Sequence, residues 1–253
     1  MADKSLNQWV LDKDTPPNQA NPKKSTVKRI AFNSYGDKFA ALNTGGQLFM
    51  MNFDLETSSK VEPLFSTLMS PKLSEARLAD FAFLDRDSII AGVSLREKVL
   101  NIYDTLLPPR ASIVQSYREG SGGNLLQVFG DSHKILCFNS KPGYAVEYDM
   151  RKEGESISNK LLAKEEITAA AISPAQDSLV LGTSDGLVKI YDLQNYEGSS
   201  AAAGSAQSEK GSISAFTNYG RKGAVSKLRF HPSTGALFAA SNLGCVKLLR
   251  LAI

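Results

Sequence analysis

Two cysteines, two histidines and one tryptophan in 253 residues leave little material for several kinds of chemistry. Cys137 and Cys245 each sit inside an apolar run, KILCFN and GCVKLL, and so read as reduced core thiols rather than as a disulfide framework. His133 and His231 have no Cys, His or acid at metal-ligand spacing, so neither a metal nor a cofactor is expected. No apolar run approaches the roughly 18 residues needed to span a bilayer, and the opening MADKSLNQWVLDKD lacks an apolar stretch of signal-peptide length. The compartment expected is the cytosol or a cytosolic membrane face. Lys and Arg number 29 against 26 Asp and Glu, a formal charge of +3, which is too balanced to argue for nucleic acid.

What the sequence does have is a repeated strand pattern. Short runs rich in β-branched and aromatic residues, bounded by Gly, Pro, Asn, Asp and Ser, fall in threes. VKRIAF, KFAALNT and QLFMMNF form the first set, and LADFAFL, SIIAGVS and VLNIYDT the second. NLLQVFG, KILCFNS and YAVEYDM follow, then ITAAAIS, SLVLGTS and LVKIYDL, and last VSKLRFH, ALFAASN and CVKLLRL. Between sets lie weaker candidates for a fourth strand, such as VEPLFSTL and SIVQSYR. Aligning the third strands puts Phe53, Tyr103, Tyr148, Tyr191 and Leu249 in register at intervals of roughly 43 to 58 residues, near the period of a WD-type blade with loop insertions. Helical patterning is nearly absent.

Four-stranded units repeated without helices predict an all-β fold of the WD40 β-propeller type, with about five recognisable blades. One such sheet cannot bury both faces alone, whereas neighbouring blades bury each other's. The sharpest local signature is SPAQDSLVLGTSDGLVKIYDL, Ser173 to Leu193. In its SDG hairpin Gly186 is free to take positive φ and Asp185 is expected to accept backbone amides. Tyr191-Asp192 stands where WD proteins place Trp-Asp, as do Tyr103-Asp104 and Tyr148-Asp149 and, more faintly, Phe53-Asp54. Each terminal Asp is expected to accept backbone N–H groups at the strand exit, and Tyr103 and Tyr191 to be buried between blades.

The segment IYDTLLPPRASIV resembles the WDTLLPP segment in the C-terminal WD40 propeller of the DmX-like or rabconnectin family. VKRIAFNSYGDKFAALNTGGQLFMMNF resembles the family's preceding blade, with Phe32-Asn33, Gly36 and Lys38-Phe39 at matching places. ADFAFLDRDSIIAGVS follows in the expected order, and NSKPGYAVEYDMR keeps Lys141, Gly143, Asp149 and Arg151 of the family's hairpin. LGTSDGLVKIYDL and SNLGCVKLLRL match its last blades, so the likeness covers most of residues 26–253. The resemblance implies a non-catalytic scaffold that helps to assemble or regulate the vacuolar proton-pumping ATPase, as RAVE-type complexes do, at the cytosolic face of acidic endomembranes. The alternative is a structural WD-repeat subunit of another large assembly, such as a ciliary, coat or ribonucleoprotein complex. The chain departs from the pattern in having Tyr or Phe where Trp ends a blade, and in lacking the usual turn His. Family members are far longer, so the five units form either a closed ring or part of a seven-bladed propeller shared with another chain.

Residues 1–25 are expected to form an arm in which Trp9-Val10-Leu11 supplies a closing strand. Residues 26–253 form the propeller, with a flexible insertion near 197–211 whose Gly, Ser and Ala offer little to bury. EGSGGN lacks the Lys-Ser/Thr of a phosphate loop. Glu165-Glu166 is expected to face solvent, and Lys23-Lys24, Lys28-Arg29 and Arg221-Lys222 are expected to solubilise loops rather than to bind RNA. Protein partners are therefore expected at loops and rim. The first candidate contact is DTLLPPR, where Leu106, Leu107 and Arg110 resemble an anchor-and-charge pair and the two prolines are expected to hold the chain extended. The competing expectation is that Leu106 and Leu107 pack beneath their own blade.

Overall fold

Each strand triplet pairs as an antiparallel up-and-down sheet, and five such sheets stand in a ring, making a five-bladed β-propeller. The computed structural model describes residues 26–52, 64–67, 77–84, 88–94, 98–118, 125–128, 133–138, 143–152, 154, 156–193, 209–215, 217–218 and 221–249. Blade 1 is β1 (Val27–Phe32), β2 (Lys38–Asn43), β3 (Leu48–Asn52) and β4 (Phe65–Ser66). Blade 2 is β5 (Asp80–Phe83), β6 (Ile89–Ser94), β7 (Val99–Asp104) and β8 (Ile113–Tyr117). Blade 3 is β9 (Leu125–Val128), β10 (Lys134–Phe138), β11 (Gly143–Asp149) and β12 (Ser156–Ala163). Blade 4 is β13 (Ile167–Ile172), β14 (Ser178–Thr183), β15 (Leu187–Asp192) and β16 (Glu209–Ser214). A hairpin of β17 (Thr217–Asn218) and β18 (Arg221–Lys222) leads into blade 5, which has β19 (Val225–Phe230), β20 (Leu237–Ser241) and β21 (Val246–Leu249).

Alternation along each strand divides the side chains between two neighbouring blades. Leu136, Phe138 and Ala145 of blade 3 pack on blade 4, while Ile135, Cys137, Val146 and Tyr148 turn to blade 2. Similar clusters join blades 1 and 2 and blades 4 and 5. Blades 4 and 5 approach so closely at Gly182 that a Cβ there would stand 2.5 Å from Val225 Cγ1. The first strand of each blade touches the first strand of the next, from β1 through β5, β9 and β13 to β19. These strands line the axis. The seam between blades 5 and 1 differs. Among the described residues no hydrophobic cluster crosses it, and Phe238, Val246 and Leu248 on one side and Ile30 and Phe32 on the other stay exposed.

Several expectations need correction. The weak fourth-strand candidates do contain strands, β4 and β8, but β12 and β16 carried too little apolar patterning to be foreseen. The end of the insertion, from Glu209, is a strand whose Gly211 pairs with Ile190; residues 197–208 lie outside the described residues. Cys137 is buried as expected, but Cys245 is exposed, because it sits at the β20–β21 turn and not in the strand body. Lys28 and Arg29 lie on β1, and Arg221 and Lys222 form β18, so these four are strand residues and not loop residues. Phe53, Asp54, Trp9, Lys23, Lys24 and the EGSGGN run, residues 119–124, lie outside the described residues.

Candidate interaction site

The DTLLPPR loop is shaped by its own polar groups. At the exit of β7 the Asp104 carboxylate accepts the Leu106 N–H at 3.0 Å, and the Asp104 N–H donates to the Ser112 carbonyl at 2.8 Å, closing the base of the loop. Thr105 donates its N–H and its hydroxyl to the Ser88 carbonyl, each at 2.8 Å. Pro108 is extended, at φ −54° and ψ 141°, but Pro109–Ala111 winds a 3-10 turn, with the Ser112 hydroxyl donating to the Pro109 carbonyl at 3.0 Å. The expectation that both prolines hold the chain extended is therefore corrected at Pro109. Its fixed φ suits the first position of a helical turn, where no N–H is needed.

With its base tied to β7 and β8, the loop projects its apolar tip. Leu106 is 77% exposed and Leu107 is 39% exposed, and Arg110 is exposed beside them. This overturns the expectation that the two leucines pack beneath their own blade. Two adjacent exposed leucines followed by a cation form a small apolar and charged contact surface on a short, tied loop.

The blade-end tyrosines join each blade to the one before it. Tyr103, Tyr148 and Tyr191 are buried, each against the preceding blade. Tyr103 meets Phe65 with ring centres 6.2 Å apart, and Tyr148 meets Tyr117 at 5.1 Å. The Tyr191 hydroxyl donates to the Leu162 carbonyl. At Asp149 the carboxylate accepts the Arg151 N–H at 2.9 Å and an Arg151 guanidinium N–H at 2.7 Å. That guanidinium holds the Asp149 carboxyl well below the usual carboxylate range. Asp192 ends β15 in a half-buried position.

Asp185 does not accept backbone amides as expected; it accepts the Thr183 hydroxyl. The backbone donor goes to Thr183 instead, whose Oγ1 accepts the Leu187 N–H at 3.1 Å while Gly186, at φ +86°, donates its N–H to the Thr183 carbonyl. The same turn recurs where Asn43 Oδ1 accepts the Gln47 N–H at 2.9 Å and Ser241 Oγ accepts the Cys245 N–H at 3.4 Å. The signal was present in the sequence as Asn, Thr or Ser with Gly three residues on, in NTGGQ, TSDGL and SNLGC.

Nothing among these residues assembles a reaction centre. His231 Nδ1 accepts the N–H groups of Ser233 and Thr234 at 3.3 and 3.2 Å, a turn role. Glu165 and Glu166 are half-buried rather than fully solvent-facing. Among the described residues no group of three His, Cys, Asp or Glu is placed to hold a metal, and no helix is long and apolar enough to cross a membrane.

Comparison with known proteins adds a sequence relationship. No family model matches the chain. DmX-like protein 1 of Mus musculus is 25% identical over 180 residues, and that of Homo sapiens is 24% identical over 180 residues. Each match covers 68% of this chain but only 6% of the relative. The chain is therefore a five-bladed β-propeller similar to DmX-like protein 1 across two thirds of its own length and a small fraction of that protein's.

Proposed function

We propose that this propeller is a non-catalytic WD-repeat scaffold that binds protein partners through its loops and exposed sheet faces, in the manner of the DmX-like or rabconnectin proteins, and that its partners are subunits or assembly factors of the vacuolar ATPase. The observation that carries the reading is the similarity to DmX-like protein 1 in a chain whose architecture is a propeller. The exposed Leu106, Leu107 and Arg110 supply one contact surface. The apolar faces at the seam, with Val246 69% and Leu248 54% exposed, supply another, since contiguous exposed apolar area marks interaction sites. The cytosolic face of acidic endomembranes is the location that such a role requires.

Within this reading, residues 1–25 complete blade 5 by laying Trp9-Val10-Leu11 beside β21. Blade 5 has three described strands where the other four blades have four. Deleting residues 1–25 should lower the melting temperature and expose β21 amides to hydrogen exchange; an unchanged β21 would remove that assignment.

The functional test is native affinity purification followed by mass spectrometry. Vacuolar ATPase subunits or their assembly factors should co-purify, and exchanging Leu107 and Arg110 for Ser should release them without lowering the melting temperature. Recovery of a stoichiometric complex with no ATPase subunit would transfer the chain to the alternative, a structural subunit of another assembly.

A further inference from the structure

The axis of the propeller holds an unbalanced set of charges. An open cleft there is lined by Arg29 of β1, Gln127 of β9, Thr168 of β13 and Ser226, Lys227 and Arg229 of β19. Arg29 is fixed from two sides. Its Nη1 donates to Asp80 Oδ1, and its guanidinium carbon lies 5.4 Å from the centre of the Phe81 ring. Its Nε is shielded from solvent and has no hydrogen-bond partner.

Lys227 and Arg229 lie two residues apart on β19, so both point away from blade 4, where the intervening Leu228 is buried. Both are exposed, and neither side chain makes an ion pair or hydrogen bond among the described residues. The carboxylate that attracts both is Asp80, which is already committed to Arg29. Desolvation in the cleft, followed by the charge of Arg29, lowers the pKa of Lys227 and of Arg229. Three cations against one carboxylate leave a surplus of two positive charges. Thr168 and Ser226 add no free donors, since their hydroxyls donate to the Val225 and Ala240 carbonyls.

We propose that this axial cleft is a binding site for a small phosphomonoester dianion, held by the Lys227 ammonium and the Arg229 guanidinium in the field of the Arg29 cation. The dianion matches the surplus charge, which a single carboxylate would only half neutralise. Arg presents fixed N–H forks that suit phosphate oxygens, and Lys adds a point charge.

Titration of the full chain with phenyl phosphate and with inorganic phosphate, at ionic strength held constant with chloride, tests the proposal. Saturable binding and a rise in melting temperature are expected, with affinity falling at least tenfold in Lys227→Met and in Arg229→Gln. On the wild-type chain the amide resonances of Ser226 and Lys227 should shift on titration while those of Leu106 and Leu107 stay still, a readout that does not depend on the variants folding. Vesicles of phosphatidic acid in phosphatidylcholine form the second arm, because phosphatidic acid carries the same monoester group. Soluble phenyl phosphate competing the chain off such vesicles would support the site. Binding confined to vesicles, a non-saturating response, or equal affinity in wild type and both variants would overturn it.

Discussion

The Tyr191 hydroxyl donates to the Leu162 carbonyl, joining the third strand of blade 4 to the outer strand of blade 3. A tryptophan at this position would carry an N–H donor in place of the phenol; tyrosine here combines a buried ring with one donor aimed at a neighbouring blade. Tyr103 and Tyr148 make the equivalent ring contacts with blades 1 and 2.

This arrangement separates the ring from the hydroxyl. Tyr191→Phe should keep the packing and lose about 0.5–1.5 kcal/mol, the usual net value of one hydrogen bond. Tyr191→Ala and Tyr103→Ala should lose about 3–5 kcal/mol, as for other large aromatics removed from a core. Urea unfolding monitored by circular dichroism measures both, and equal losses for Phe and Ala at position 191 would refute the division.

At the blade 4 hairpin the order of two effects is the test. Thr183→Val leaves the Leu187 N–H without its side-chain acceptor and should cost about 1–3 kcal/mol, whereas Asp185→Ala removes only the hydroxyl's partner and should cost about 1 kcal/mol or less. A larger loss at Asp185 than at Thr183 would restore the aspartate as the organising residue.

Asp149 supplies a pH dependence. Its pKa is lowered from an ordinary 3.8, first by the Arg151 hydrogen bond. A carboxyl with a lower pKa folded than unfolded stabilises the fold above the ordinary value, and that contribution is lost as pH falls through the folded pKa. Asp149→Asn should therefore lower the melting temperature at pH 7, and the gap from wild type should close as pH drops below 3.8. Added salt should shrink the gap too, because the Arg151 side chain is 64% exposed. A gap constant from neutral to acid pH would contradict this.

The cysteines should separate by reactivity. Burial pushes the Cys137 thiol far above its usual pKa, leaving almost no thiolate, whereas Cys245 is exposed. Mass spectrometry after brief iodoacetamide treatment should find one modified cysteine, Cys245, in the native chain and both in denaturant. Rapid native modification of Cys137 would mean that the interface between blades 2 and 3 opens.

Five strand triplets, three of them ending in Tyr-Asp, with turn residues between them, were enough by themselves to specify the all-β architecture and about five blades. Strand alternation and turn chemistry are local properties, written within six or seven residues of each other. The WD-like register of Tyr103, Tyr148 and Tyr191 belongs to this class, and so does the burial of Cys137. β12 and β16 were not legible, because Ser156–Ala163 and Glu209–Ser214 are strands through hydrogen bonds to β11 and β15 rather than through apolar alternation of their own. The exposure of Leu106 and Leu107 also depended on the fold. The same residues would be core if the loop folded inward, and the Asp104–Ser112 and Thr105–Ser88 bonds decide that it does not. The meeting of Arg29, Asp80, Lys227 and Arg229 was the least legible of all, since residues up to two hundred positions apart share no local pattern. Only closure of the blades about an axis, with first strands innermost, brings their charges within reach of one another.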